Sequence, residues 1–262
     1  MTRAEASGMI FPVREEPVTR QLIVPGGRDA TDVIHADLRG RILSGDIAPG
    51  TGLSQARIAK ERLVSRGPVR EAFRLLQREG LIEVEVNQRA RVTDLSVEEV
   101  EHLYALRVSN ETLALGLSVP RFGPADFDEL DRLVEEVAAA EVRGFDLWEG
   151  LHHRFHMRLV AHAGQRMLRS MAVWAEHTGR YRKVYVGRDG SGWTLGACEH
   201  AELARLCRER DARAAATLLA RHLSRAGLAL IASMDPAHEP ALLRAAIRQA
   251  LAAAEHDATL HG

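Results

Sequence analysis

The chain is 262 residues long, enough for one or two domains, and 46% of it is apolar, which excludes a disordered protein. Its 35 basic and 36 acidic residues leave a net charge of −1, so a uniformly basic coat protein is excluded and any nucleic-acid surface must be local. Two cysteines, Cys198 and Cys207, cannot build a disulfide framework, and no run approaches the roughly 18 to 20 apolar residues that cross a bilayer. Both point to a reducing, cytoplasmic setting with no membrane.

Residues 1–30 mix Pro12, Pro17, Pro25 and Gly26-Gly27 with scattered charges and read as a flexible N-terminal tail. Over 31–43, Val33, Ile34, Leu38, Ile42 and Leu43 recur near helical spacing, before a turn at Gly45 and Pro49-Gly50. Residues 54–63 give a short second helix. Ser65 caps a third, with Pro68 in its first turn and Gly80 just past its end. Two β-prone runs follow, 81–86 and 90–92, around the polar turn Asn87-Gln88-Arg89. Three helices and a small β-hairpin are the parts of a winged helix-turn-helix, here spanning 31–95, with a linker at 93–95.

Beyond residue 95 the chain is rich in Ala, Leu, Arg and Glu, a composition that favours helix. Breakers at Gly123-Pro124, Gly144, Gly164, 187–192 and Asp235-Pro236 divide it into helices near 96–119, 124–143, 146–162, 166–186, 193–209 and 211–233. Ser96 and Glu99 fit a capping box. The prediction is a mainly α protein, with an all-α helical bundle over 96–233. A partly helical C-terminal extension follows over 234–262, its helix near 239–255 trailing along the surface. Cys198 and Cys207 are expected to be buried thiols.

The third helix carries the first chemistry. Val69, Ala72, Phe73 and Leu76 form one apolar face, while Arg66, Arg70, Arg74 and Arg78 repeat every four residues on another side. Residues 57–78 hold seven basic side chains against Glu61 and Glu71. A helix packed on one side and bearing guanidinium forks on the other suits a major groove, where arginine pairs with guanine or clamps phosphate. A plain solvated arginine face has the same charge pattern, and charge alone does not separate the two.

The wording of the segment adds to this. Gly45-Asp46-Ile47-Ala48-Pro49-Gly50, Leu53, Ile58-Ala59, the run from Val64-Ser65-Arg66-Gly67-Pro68-Val69-Arg70-Glu71 to Ala72-Phe73, Leu76, and Glu79-Gly80-Leu81-Ile82 together resemble the GntR-type winged-helix repressors. The resemblance implies a DNA-binding transcriptional regulator, acting as a repressor, that reads a palindromic double-stranded operator. It implies contacts from Arg66 and Arg70 in or beside the major groove, with Arg57, Ser65, Arg74, Arg89 and Arg91 around them. The family usually has a glycine in the wing turn where this chain has Arg89.

The second domain carries histidines. His152 and His156 share one helical face, and His200 and His222 each point inward from separate helices. Single histidines on apolar faces are usually core residues with ordinary partners. Several buried imidazoles would need several partners, which one shared metal would supply. The pattern His152-His153-Arg154-Phe155-His156, then His200 and His222, is similar to the FCD effector domain of the fatty-acid-repressor branch of the GntR family. The resemblance implies a divalent metal on His152, His156, His200 and His222, although an acidic residue is more usual at the first position. An all-histidine set favours zinc, with nickel or another borderline metal as the other choice. His153 points about 100° away and is expected to have a supporting or structural place.

Arg107, in Leu106-Arg107-Val108-Ser109-Asn110-Glu111, resembles the family's Arg-x-x-x-Glu. It either clamps a small carboxylate or sugar-acid effector beside the metal or forms a surface ion pair with Glu111. The surface pair would be worth only a few tenths of a kcal/mol. Trp148, Trp174, Tyr181, Tyr185 and Trp193 line a pocket or simply pack. The overall expectation is a homodimer, because one short recognition helix spans too few base pairs for a specific site. The alternative is a metal-dependent enzyme acting on a small carboxylate, with an appended DNA-binding module. Against it, no His-Glu-x-x-His occurs and no motif places a general base.

Overall fold

The computed structural model describes residues 28–84, 90–185 and 197–260. Residues 1–27 of the expected tail, the Asn87-Gln88-Arg89 turn, the 187–192 breaker cluster and Trp193 lie outside them, while 28–30, also expected in the tail, belong to the first helix, with Ala30 buried. The described residues fall into two compact units that part between Asp94 and Leu95, with 43–45 grouped with the second.

In the first unit, α1 spans Arg28–Leu43, α2 Gln55–Glu61 and α3 Arg66–Arg78, beside strands β1 (Gly52–Leu53), β2 (Ile82–Val84) and β3 (Ala90–Val92). The sheet runs β1-β3-β2 and is antiparallel throughout, with Leu53 and Val84 both opposite Ala90. The sequence predicts the hairpin and misses β1, because a two-residue strand has no periodicity to read. Gly50 enables that pairing. It has φ +77°, and an added Cβ would lie 2.8 Å from Arg91 and Asp94 side-chain atoms.

The apolar faces of these helices meet as their spacing predicts. Ile34, Leu38 and Ile42 of α1 are buried, as are Val69, Ala72, Phe73 and Leu76 of α3. Glu79, at the end of α3, accepts from Arg39 Nε at 2.8 Å and faces His35 Nε2 at 2.7 Å, which ties α1 to α3. Ser54 caps α2 through its Oγ, which accepts from Arg57 N. Ser65 occupies the corresponding position before α3 but makes no side-chain capping bond.

The second unit is all helix. Helix α4 covers Val97–Ser118, α5 Pro124–Ala140, α6 Phe145–Leu159, α7 Gln165–Tyr185, α8 Ala197–Arg208, α9 Ala212–Met234 and α10 Ala241–Leu260. Helix α4 packs against α7, α9 and α10, and α5 packs against α6 and α8. The Tyr104 ring packs against Gly227 of α9, where a Cβ would come within 2.7 Å of it, so only glycine fits. No helix among the described residues is long and apolar enough to cross a membrane.

Three expectations need correcting. Helix α10 is part of the bundle and does not trail along the surface. Its Leu243 and Ala246 are buried, and Glu101 of α4 accepts from the backbone N–H groups of Leu242 and Leu243 at 2.7 and 3.1 Å. The capping box at α4 is only half made. Ser96 Oγ accepts from Glu99 N, but the Ser96 N–H goes to the Tyr181 hydroxyl, which itself donates to the Glu99 carboxylate. A tyrosine 82 residues away inserts between the two, which local pattern cannot foresee. Finally, Cys207 is buried as expected but Cys198 is exposed.

Candidate functional site

On the first unit, α3 presents its charged side outward. Arg66, Arg70 and Arg74 are exposed, as are Ser65 before it, Arg57 of α2 and Arg91 of β3. Three of these arginines have carboxylate neighbours: Arg57 with Glu61 at 3.5 Å, Arg74 with Glu71 at 3.2 Å and Arg91 with Asp94 at 3.5 Å. Arg66 and Arg70 have no ion pair among the described residues. Apolar contacts therefore hold the helix in place while its first two turns offer guanidinium groups to solvent. Arg89 lies outside the described residues.

The second unit brings His152 and His156 of α6, His200 of α8 and His222 of α9 together. All four are buried, and each offers a ring nitrogen within 4.8 Å of those of the others. His152 and His156 face each other through Nε2 atoms 3.1 Å apart. Both nitrogens of His200 and Nδ1 of His152 and His156 have no hydrogen-bond partner. Buried polar atoms nearly always have partners, so this number of unpaired imidazole nitrogens in one place argues for a common ligand.

Burial first, and then the neighbouring imidazoles, pushes His152 and His200 well below the ordinary histidine value. Burial also takes His156 down to about 3, although Glu111 opposes it. The rings of His152, His156 and His200 are therefore neutral near pH 7, the form in which imidazole ligates metal. His222 Nδ1 lies 2.9 Å from Glu199 Oε2, and Arg225 holds the other carboxylate oxygen. A carboxylate on the far nitrogen orients a ligating histidine and strengthens it as a donor. The His222 and Arg225 contacts outweigh the effect of burial and hold Glu199 at about 2.

Arg107 is among the most deeply buried large side chains, so its pair with Glu111 is not on the surface. Its Nε and Nη2 donate to the Glu111 carboxylate at 2.6 and 3.3 Å, and its Nη1 donates to Thr178 Oγ1 at 2.8 Å. Each nitrogen already has a protein acceptor, so Arg107 is not poised as an open fork for a ligand. It holds Glu111, whose Oε2 stands 3.7 Å from His156 Nδ1, outside hydrogen-bond range. Burial alone would raise the Glu111 carboxyl, but Arg107 and His156 outweigh it and bring it down to about 2.

Several neighbours were not singled out as site residues from sequence. The Trp148 ring stacks on His152, with centroids 4.5 Å apart and planes 16° from parallel. Arg182 of α7 pairs with Glu149 and donates from Nη1 to the Tyr104 hydroxyl at 3.2 Å and Thr178 Oγ1 at 3.1 Å. Gly179 makes room for that pair, since a Cβ there would meet Glu149 Oε1 at 2.9 Å. Glu111 left a trace in the sequence through its i,i+4 spacing from Arg107, and Trp148 was among the aromatics weighed as pocket lining. His153 is half-buried and is not one of the four converging histidines. Among the aromatics, Trp148 and Tyr181 are buried, and Trp174 and Tyr185 are half-buried.

Comparison with known proteins agrees with both units. Residues 30–92 match the bacterial regulatory proteins of the gntR family, and residues 102–225 match the FCD domain. The chain is 31% identical, over 75% of its own length and 83% of the relative's, to an uncharacterized HTH-type transcriptional regulator in an unstable DNA locus of Streptomyces ambofaciens. It is 30% identical over 51% of its length to the uncharacterized HTH-type transcriptional regulator YdhC of Bacillus subtilis, and spans 61% of that relative. The solved structure of McbR/YncC from E. coli shares its fold, with a TM-score of 0.68 at 19% identity, covering 79% of this chain and 99% of the other.

Proposed function

Since the chain belongs to the gntR family of bacterial regulatory proteins, with an FCD domain behind the winged helix-turn-helix, we propose that it is a cytoplasmic, ligand-responsive regulator of transcription. Its first unit binds an operator in double-stranded DNA, and its second binds a divalent metal and a small organic acid that alter operator binding. The observation that carries the DNA reading is α3 itself, buried along one face and offering exposed Arg66 and Arg70 from its first two turns. Arg57, Ser65, Arg74, Arg89 and Arg91 are assigned the surrounding contacts.

The metal reading rests on the four convergent histidines and their unpaired nitrogens. His152, His156, His200 and His222 would hold the ion, and neutral imidazoles suit zinc or nickel better than calcium or magnesium. The bound ion would supply a Lewis-acidic attachment point for an oxygen of the acid. Glu199 orients His222, and Arg107 holds Glu111 beside His156. Such a ligand alters DNA binding only in so far as it favours one arrangement of the protein over another. Typical couplings of about 1–3 kcal/mol correspond to 5- to 150-fold in affinity.

Two copies reading a palindrome give a specific site that one recognition helix cannot cover. An apolar stripe on α4 supports such an assembly: Leu106, Leu113 and Leu117 are all exposed on one face.

Selection from a random pool of DNA duplexes tests the reading. The full chain is expected to enrich a palindromic sequence. Arg66→Ala and Arg70→Ala should each weaken binding to it by about 1–3 kcal/mol at fixed salt, if each arginine reads a base. Failure to enrich any sequence, or wild-type affinity in the double variant, would overturn it.

A further inference from the structure

We propose that the organic acid recognised by the second unit is a small dicarboxylate, bound as a dianion in preference to any monocarboxylate of the same length. The inference rests on the metal reading above and narrows it from the charges that surround the four histidines.

The four rings bring no charge of their own as neutral ligands. Two carboxylates stand beside the four rings, Glu111 at 3.7 Å from His156 and Glu199 at 2.9 Å from His222, and each has its own guanidinium: Arg107 Nε donates to Glu111 at 2.6 Å, and Arg225 pairs with Glu199. The pairs cancel one by one, so the protein supplies no net negative charge to a divalent ion at this place. Four ligands that are all buried leave little water to make up the difference.

An uncompensated double charge in a buried setting is costly, and the molecule that completes the site is the remaining source of negative charge. One carboxylate cancels half of it, and two cancel all of it. A site with an aspartate among its ligands would carry one charge less and would discriminate less. His152 makes this set electrically neutral.

Calorimetry on the zinc-loaded full chain tests this, with malonate and succinate as dianions against propionate and butyrate as monoanions. The dicarboxylates are expected to bind at least tenfold more tightly than their length-matched partners. His152→Asp should reduce that ratio tenfold or more, and the neutral control His152→Asn should keep it. The ratio in the unaltered chain stands as a test even if neither variant folds. Equal or stronger binding of the monoanions, or no detectable binding of either dicarboxylate, overturns the dianion preference while leaving zinc binding in place. Failure of the chain to bind zinc at all, read from the same titrations with metal alone, overturns the metal reading and this inference together.

Discussion

Replacing Arg107 with methionine should strongly destabilise the helical unit, because Arg107 is the counter-ion of a fully enclosed carboxylate. Its guanidinium and the Glu111 carboxylate are 1% and 3% exposed, and two hydrogen bonds join them. In Arg107→Met, Glu111 must either stay ionised without its partner or take up a proton. Protonation at pH 7, from an ordinary glutamate value near 4.3, costs about 3.7 kcal/mol at roughly 1.36 kcal/mol per unit. Breaking one side of a buried pair costs about 3–5 kcal/mol in general, so the two routes agree. At roughly 2–4 °C per kcal/mol for a unit of this size, melting should fall by about 8–16 °C, read by circular dichroism on the metal-free chain. The double variant Arg107→Met, Glu111→Leu removes both charges and should recover at least half of the loss. A fall of less than about 3 °C in the single variant would show that the pair behaves as an exposed one, worth only tenths of a kcal/mol, and would refute the burial argument.

Zinc at 100 times its dissociation constant should stabilise the chain by about 2.7 kcal/mol, and a chelator should reverse the melting shift; in His200→Ala both zinc occupancy and the shift should disappear, and full occupancy there would exclude His200 as a ligand. The docking of α10 should weaken in acid. Burial alone would raise Glu101, but its bonds to His238 and to the Leu243 and Leu242 backbone hold it below the ordinary carboxylate value. Its contribution is therefore complete above that ordinary value and is lost as pH falls through the lower folded one. Hydrogen exchange of the α10 amides should accelerate over that window, and Glu101→Gln should flatten the dependence; an unchanged profile in the variant would count against the cap. Placing charge on the α4 stripe, with Leu113→Glu and Leu117→Glu together, should shift a dimer toward monomer in sedimentation without lowering the melting temperature of the monomer, whereas an unaltered dimer would place the interface elsewhere.

Periodicity revealed α1 and α3, since the apolar spacing along them is a local property that burial reproduces, whereas the helices beyond residue 95 were read from composition and breakers. Helix ends were also legible where Gly80, Gly123-Pro124, Gly144 and Gly164 stop or start the chain, because those residues constrain the backbone whatever surrounds them. The two-residue β1 had no such signal, and Tyr181 inside the half-made capping box of α4 came from a distant helix. Helix α10 was assigned to the surface for a related reason, since nothing near it in the chain says that Glu101 waits on α4 to receive its first amides.

The candidate site divides along the same line. The chain by itself determined which residues were candidates for the chemistry, since imidazoles at i and i+4 must share a face and an arginine stripe opposite an apolar one must face outward. Tertiary structure alone decided what those residues can do. It closed four histidines from three helices around one point, set Glu199 against His222, and sealed Arg107 against Glu111, where sequence allowed either an open fork or a surface pair. The physical reason is that a contact between distant segments depends on how the helices pack, and the strength of a charge pair depends on the water around it. Neither is a property of a residue or of its spacing along the chain.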